Sequence, residues 1–267
     1  MEDIRKEIEQ DRRGFIKKVL GGTIAGSLLL VIPMPAPAAR RIIEEIPGMR
    51  EETDVFTARQ FTFIVDITAC IGCGSCCVAD KAEYSVPDGH YRTWVERYII
   101  DDHDNVYVDS PNGGLDGYIK PRTGLPHPTR DTFFVPKLCN MCEKPSCTQV
   151  CPVGATYKTD DGFVLVDKTR CVGCSYCIQA CPYSVRFINP KTRVAEKCTW
   201  CYHRVRKGLL PACVSVCPVG ARKFGDLSDK NSEVWKILHE PHVISVLKPD
   251  MGNVPALHYV GLRREVV

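Results

Sequence analysis

The sequence predicts an α+β chain of tandem, loop-rich units with a small β-rich subdomain inserted, and three observations predict it. Sixteen cysteines stand in four groups along 267 residues, among nineteen prolines and twenty glycines, so loops carry much of the chain. Ahead of the first group, Phe61, Phe63, Val65 and Ile67 alternate with Thr62, Ile64 and Asp66, a strand pattern that delivers the chain to its cysteines. Cys-Pro-Val-Gly-Ala at 151–155 recurs at 217–221, and a strand entering each cysteine loop with a helix leaving it makes an internal repeat.

The most informative stretch is 171–182, Cys-Val-Gly-Cys-Ser-Tyr-Cys-Ile-Gln-Ala-Cys-Pro. Three cysteines at two-residue intervals, then a fourth with proline behind it, have the bacterial ferredoxin spacing for [4Fe–4S] ligation. A short loop carrying Gly173 can curl around one cluster, while the fourth cysteine, at the start of a helix, points to a neighbouring one. The tandem units are therefore expected to be ferredoxin-like. Structural zinc prefers pairs of C-x2-C across a longer loop, and disulfides suit small extracellular scaffolds rather than a chain long enough to bury a core. Attached c-type haem needs C-x-x-C-H, which does not occur here.

From the N-terminus, residues 1–38 read as an export signal. Asp11-Arg12-Arg13-Gly14-Phe15-Ile16-Lys17 carries a twin arginine, an apolar run covers 19–32, and Ala36-Pro37-Ala38 offers a cleavage site. That run is short of the roughly twenty residues that span a bilayer, although an uncleaved segment reaching Ala39 has the length, so a retained anchor stays open. Clusters are assembled in the cytoplasm, so a folded-export route to the periplasmic face agrees with the cysteines. Residues 39–60 form a charged lead-in. The first group is Cys70, Cys73, Cys76 and Cys77, within an outer unit of 61–84 and 185–225.

Residues 85–136 hold no cysteine. Strand candidates at 91–100 and 105–109, then Pro/Gly-rich loops over 110–128, make this the inserted β-rich subdomain, either a docking surface or a plain structural insertion. The inner unit, 137–184, carries the second group, Cys139, Cys142, Cys147 and Cys151, and the third, Cys171, Cys174, Cys177 and Cys181. Between them, strands at 156–158 and 163–166 flank Asp160-Asp161-Gly162, a hairpin turn. The fourth group is Cys198, Cys201, Cys213 and Cys217. His203, Arg204, Arg206 and Lys207 lie within it, either to raise a cluster's potential or as a solvated helix face. Residues 226–267 contribute a helix over 232–240 stopped by Pro241, and strands at 243–246 and 257–262.

By the ferredoxin rule, Cys139, Cys142 and Cys147 with Cys181 hold one cluster, and Cys171, Cys174 and Cys177 with Cys151 its partner. Cys70, Cys73 and Cys76 with Cys217 hold a third. Cys198, Cys201 and Cys213 then need a ligand from the first group, where Asp80 stands at the expected position and the remaining cysteine is Cys77. The two are three apart on one helical face. Asp80, slightly favoured, keeps the geometry with an oxygen ligand; Cys77 keeps the sulfur but needs the loop shifted; with neither, a [3Fe–4S] cluster results. The chain thus holds three to four [4Fe–4S] clusters, the fourth non-cysteine ligated or a three-iron cluster.

The formal charge of +3 is small and its cations are scattered, so no nucleic acid is expected. No two of the seven histidines stand four apart, and none is assigned a catalytic role. Gly21-Gly22 and Gly113-Gly114 lack the strand–GxGxxG–helix context of a nucleotide site.

Four groups in this order behind a twin-arginine leader resemble the four-cluster ferredoxin-like iron–sulfur subunits of membrane redox complexes, such as the dimethyl sulfoxide, polysulfide, tetrathionate and nitrite reductase systems. The resemblance covers about residues 61–262. Within it, Leu138-Cys139-Asn140-Met141-Cys142, the stretch 195–204 and Val246-Leu247-Lys248-Pro249-Asp250 look most like the exported iron–sulfur subunit of the Dsr sulfite-reduction-associated complex. That likeness implies an integral-membrane quinone-handling partner of the NrfD type, a multihaem cytochrome c subunit nearby, and sulfur metabolism. Asp80 departs from the family's usual cysteine. The expected function is non-catalytic electron relay with no small-molecule substrate of its own. A reductase acting at an incompletely ligated cluster and a structural zinc scaffold are the rival classes; the first needs a pocket of convergent polar groups that the sequence does not show.

Overall fold

The computed structural model describes residues 61–240 and 244–266; the export signal, the lead-in and His242 lie outside them. β1 (Phe61–Asp66) is rich in aromatic and β-branched residues, and its four central positions are all buried. The alternation in sequence predicts one wet face. Instead Thr62 and Ile64 are buried too, and the Thr62 hydroxyl is satisfied by donating to Ala256 O at 2.9 Å.

After β1 comes α1 (Ser75–Tyr84), which begins at Gly74 in a left-handed conformation, φ 76°. A Cβ there would meet Gly114 O at 2.2 Å, so backbone approach as well as conformation requires glycine. β2 (Trp94–Asp101), β3 (Val106–Asp109) and β4 (Thr129–Lys137) form an antiparallel sheet in the order β3-β2-β4. The β2–β3 corner is organised by buried Asp101, whose carboxylate accepts from the Asn105 and His103 amides and the Tyr107 hydroxyl. Burial raises its pKa, but these bonds outweigh that and bring it down to about 2. β4 begins just past the loops expected over 110–128, where no strand is expected from the sequence. Pro136 reads as a strand breaker, but it stands next to the end of an edge strand and its carbonyl accepts from Tyr259 Oη at 3.0 Å.

The cysteine-bearing middle alternates short elements. α2 (Ser146–Gln149) precedes the hairpin of β5 (Thr156–Lys158) and β6 (Val164–Val166), turned at Gly162 with φ 89°. α3 (Tyr176–Gln179) precedes a second hairpin, β7 (Arg186–Ile188) and β8 (Ala195–Lys197). α4 (Tyr202–Val205), α5 (Ala212–Ser215) and β9 (Arg222–Asp226) complete the pattern. Contrary to expectation, the fourth cysteine of the ferredoxin-type loop does not open a helix. Cys147, Cys177 and Cys213 lie in the one-turn helices α2, α3 and α5, and Cys151, Cys181 and Cys217 follow those helices.

α6 (Glu233–His239) is capped by the Ser232 hydroxyl, which accepts from Trp235 N. β10 (Ile244–Ser245) and β11 (Leu257–Val260) then return to the start of the fold, giving a sheet in the order β10-β11-β1-β9 with β1 parallel to β11 and antiparallel to β9. Trp200 sits under this sheet, its ring centroid 5.6 Å from Phe63 and 5.8 Å from Phe224. Among the described residues no helix is long and apolar enough to cross a membrane. The molecule is thus a mixed helix and strand fold of small sheets joined by cysteine-bearing loops.

Candidate iron–sulfur sites

Two cavities are lined by the thiols that the spacing assigns together. Cys70, Cys73, Cys76 and Cys217 share one with Gly72, Gly74 and Arg222. Cys139, Cys142, Cys147 and Cys181 share another with Asn140, Arg186 and Asn253. Both walls carry buried polar atoms without partners: Nε and Nη1 of Arg222 in the first, both amide atoms of Asn140 in the second. A buried donor is normally satisfied, so the Arg222 nitrogens and Asn140 Nδ2 mark space for an acceptor.

The other two sets are placed by hydrogen bonds to sulfur. Cys171 Sγ accepts from Ala195 N at 3.4 Å, and Cys151 Sγ accepts from Ala155 N at 3.2 Å and Thr156 N at 3.5 Å. Gly173, at φ +71°, curls the Cys171 loop; a Cβ there would lie 2.5 Å from Arg193 O. Helices α2 and α3 pack together, which brings the segments ending at Cys151 and Cys181 side by side. In the fourth group Cys198 Sγ accepts from Trp200 N and Cys201 Sγ from Ala212 N, each at 3.4 Å.

Cys77 lies against Cys76, sulfur to sulfur 3.9 Å, and either thiol can donate to the other. That bond, with burial opposing and Arg222 assisting, lowers Cys76 to about 6 and raises Cys77. Asp80 is buried in α1, the helix that packs on α5. Burial raises its carboxyl, against the pull of Arg92 and Arg222. Its charge in turn acts on all three thiols of the fourth group: burial and then Asp80 raise Cys198, and burial, Cys76, Cys201 and Asp80 together raise Cys213 to about 12 against Arg222. Cys201 is also raised, by burial first and Asp80 further, against the Ala212 amide and the Tyr84 hydroxyl. Arg92 Nε stands 3.9 Å from Asp80 Oδ2, beyond hydrogen-bond reach, while Arg92 stacks 3.4 Å over the Tyr84 ring and donates to Thr199 Oγ1.

His203 and Arg204, candidates for tuning a cluster, instead pair with Glu83 at 2.7 and 3.3 Å and tie α4 to α1. Buried cations at the sulfurs come from elsewhere. Arg186 Nη2 donates to Cys147 Sγ at 2.9 Å, and Lys197 Nζ to Cys139 Sγ at 3.5 Å. Sequence reasoning missed them, although Arg186 and Arg222 share one signal: each stands five residues after the cysteine of a Cys-Pro pair, Cys181 and Cys217.

The donor chemistry fits iron–sulfur clusters. No disulfide links any of the sixteen cysteines, two sets of four thiols each line a common cavity, and amides and cations face the sulfurs.

A family model described as "4Fe-4S dicluster domain" matches residues 130–227, which hold twelve of the sixteen cysteines. The sequence is 38% identical to a tetrathionate reductase subunit of Salmonella typhimurium, over 96% of this chain and 90% of that one. It is 36% identical to a polysulfide reductase chain of Wolinella succinogenes, over 78% of this chain and 97% of that one. The thiosulfate reductase electron transfer subunit PhsB of Salmonella typhi is 40% identical over 66% of this chain and 81% of its own. With its cysteine sites and these relatives together, this protein belongs to the family of electron-transferring 4Fe–4S iron–sulfur subunits that includes those of the tetrathionate and polysulfide reductases.

Proposed function

We propose that the chain relays single electrons through four iron–sulfur sites, in the order third, second, fourth and first cysteine group. Burial carries this reading. Cys174 and Cys73 are exposed, whereas Cys139, Cys142, Cys198, Cys201 and Cys213 are buried, so the third and first groups make the ends and the second and fourth the middle. The middle pair adjoin: Trp200 Nε1 donates to Cys139 O at 2.8 Å while Trp200 N donates to Cys198 Sγ. Exposed apolar residues flank each end, Val172 and Tyr176 at one and Ile71 and Val219 at the other, as docking partners would require.

When bound, each cluster supplies a one-electron carrier whose charge changes with little movement of its ligands. The chain's own residues hold the sulfurs, keep water from the middle pair and present amide and cationic donors to them. We assign Cys139, Cys142, Cys147 and Cys181 to one site and Cys171, Cys174, Cys177 and Cys151 to its partner. Cys70, Cys73, Cys76 and Cys217 form a third, and Cys198, Cys201, Cys213 and Asp80 the fourth. Cys77 supports Cys76 rather than ligating.

The sites are read as two tandem ferredoxin-like units. Residues 85–136 are an inserted docking element, supported by the exposed Val106 and Val108 on β3 and by Ile119 beyond it. The twin-arginine motif supports folded export to the outer face of the cytoplasmic membrane. The stretches 138–142, 195–204 and 246–250 support DsrO, working between an NrfD-type quinone-handling subunit and a multihaem cytochrome. A tetrathionate or polysulfide reductase subunit is the second reading, favoured by the 96% coverage of the Salmonella relative.

The test is made on the complex purified anaerobically from its own membrane. Added quinol should bleach the visible iron–sulfur absorbance of this protein, and an oxidant accepted by the partner subunit should restore it. A multihaem cytochrome among the co-purified chains supports DsrO and a large catalytic reductase subunit supports the second reading. Absorbance that ignores both quinol and oxidant contradicts the relay.

A further inference from the structure

A buried cation ordinarily needs a carboxylate, and elsewhere in this chain buried Arg97 has Asp109 at 2.7 Å, and the half-buried Lys137 and Lys158 have Glu96 at 2.7 Å and Glu143. Three of the most deeply buried cations do not. Arg186, Lys197 and Arg222 are 5%, 2% and 2% exposed, and among the described residues none makes an ion pair with a carboxylate. What each does face is sulfur.

Arg186 touches two neighbouring sites. Its Nη2 donates to Cys147 Sγ of the second group at 2.9 Å. Its Nη1 donates at 3.4 Å to Thr156 Oγ1, and the Thr156 amide donates to Cys151 Sγ, assigned to the third-group site. Lys197 Nζ reaches Cys139 Sγ of the second group at 3.5 Å and the carbonyl of Cys198 in the fourth at 3.0 Å. Arg222 lines the first-group cavity and is held by Thr93 Oγ1 at 2.8 Å, leaving Nε and Nη1 without partners. Burial pulls its pKa down, and Cys76 of the first group and Cys213 of the fourth outweigh that and raise it.

We propose that Arg186, Lys197 and Arg222 form a ladder of buried cations, one at each junction between consecutive cluster sites, each setting the potentials of the two sites it separates. The inference rests on the relay order given above. Four thiolates around an oxidised 4Fe–4S core leave a net charge of roughly −2, so adjacent sites repel and an arriving electron adds to the repulsion. A cation lodged between two such sites stabilises the extra electron on either side, which favours occupancy of both and eases passage across the junction. The middle rung, Lys197, serves the two sites most removed from water, where charge is screened least.

The experiment is a potentiometric titration of the intact complex, followed by electron paramagnetic resonance, with iron and acid-labile sulfide counted on the same samples. Lys197→Met should move two of the four midpoint potentials to more negative values and leave the other two in place; Lys197→Arg should leave all four in place. Arg222→Met should move a different pair, sharing one member with the first. Four unmoved potentials in Lys197→Met, or four moved equally, would overturn the ladder while a full iron and sulfide count leaves the relay standing. If Lys197→Met assembles no clusters, Lys197→Arg decides: unchanged midpoints support a role for charge, and a shifted middle pair contradicts it. Loss of sulfide from the wild-type protein would sink the relay itself.

Discussion

Asp80→Ala is expected to remove about one iron from a total of roughly sixteen and to produce the signal of an oxidised three-iron cluster. The geometry behind this is one-sided. Cys77, the other residue placed to complete the fourth site, is engaged with Cys76 of the first group at 3.9 Å. Asp80 lies three residues on, buried, with its charge acting on Cys198, Cys201 and Cys213. Burial raises its carboxyl, and its nearest cation, Arg92, stands 3.9 Å away without a hydrogen bond. A carboxylate so placed gains much more from an iron ion than from that guanidinium. Removing it also takes away the carboxylate nearest Arg92, so some loss of stability accompanies the loss of iron; Asp80→Cys separates the two effects. The cysteine variant keeps roughly sixteen iron and no three-iron signal although it too lacks the Arg92 partner. Cys77→Ala should leave the iron count unchanged. A three-iron signal in Cys77→Ala and none in Asp80→Ala would reverse the assignment.

Trp200→Ala should destabilise the folded chain by about 3–5 kcal/mol, the usual range for emptying a large aromatic from a core. Trp200 is 2% exposed and contacts Phe63, Phe163 and Phe224, with ring centroids 5.6, 6.2 and 5.8 Å away. It also stands in the left-handed region at φ 52°, followed by Cys201 at φ 52°, so packing of the indole holds a backbone that two non-glycine residues would otherwise leave. Its Nε1 donates to Cys139 O at 2.8 Å, which fixes the second group against the fourth. Trp200→Phe keeps most of the packing and leaves that carbonyl unpaired, so its loss should be about 1–3 kcal/mol. Denaturant unfolding of the complex, followed by bleaching of the visible absorbance, measures both. Equal losses in the two variants would mean that the hydrogen bond and not the ring packing carries the effect.

What the sequence makes legible here is local. The Asp-Gly turn before Phe163 and the helix expected over 232–240 are set by short-range geometry, and the structure has a turn at Gly162 and a helix at Glu233–His239. β4 was not legible, because Pro136 argues against a strand unless its edge position and the Tyr259 hydroxyl at its carbonyl are known. The burial of Thr62 and Ile64 escaped the alternation rule because its causes are distant in sequence: Ala256, 194 residues from Thr62, accepts from the Thr62 hydroxyl, and α6 packs against β1. Asp80 and Cys77 share a helical face in sequence, and spacing does not choose between them; the action of buried Asp80 on Cys198, Cys201 and Cys213 is a tertiary fact. Arg186, Lys197 and Arg222 look like ordinary surface cations in sequence. Their burial beside sulfur is a tertiary fact, although the shared Cys-Pro-x-x-x-Arg spacing of the two arginines could have flagged them.

The central claim, a chain of four iron–sulfur sites with one carboxylate ligand, is tested most directly by iron and acid-labile sulfide per chain on anaerobically purified protein, with electron paramagnetic resonance at stepped potentials. The account predicts roughly sixteen iron with matching sulfide, no oxidised three-iron signal, and four separate reductions. Zinc without sulfide, or iron for only two clusters, would contradict it.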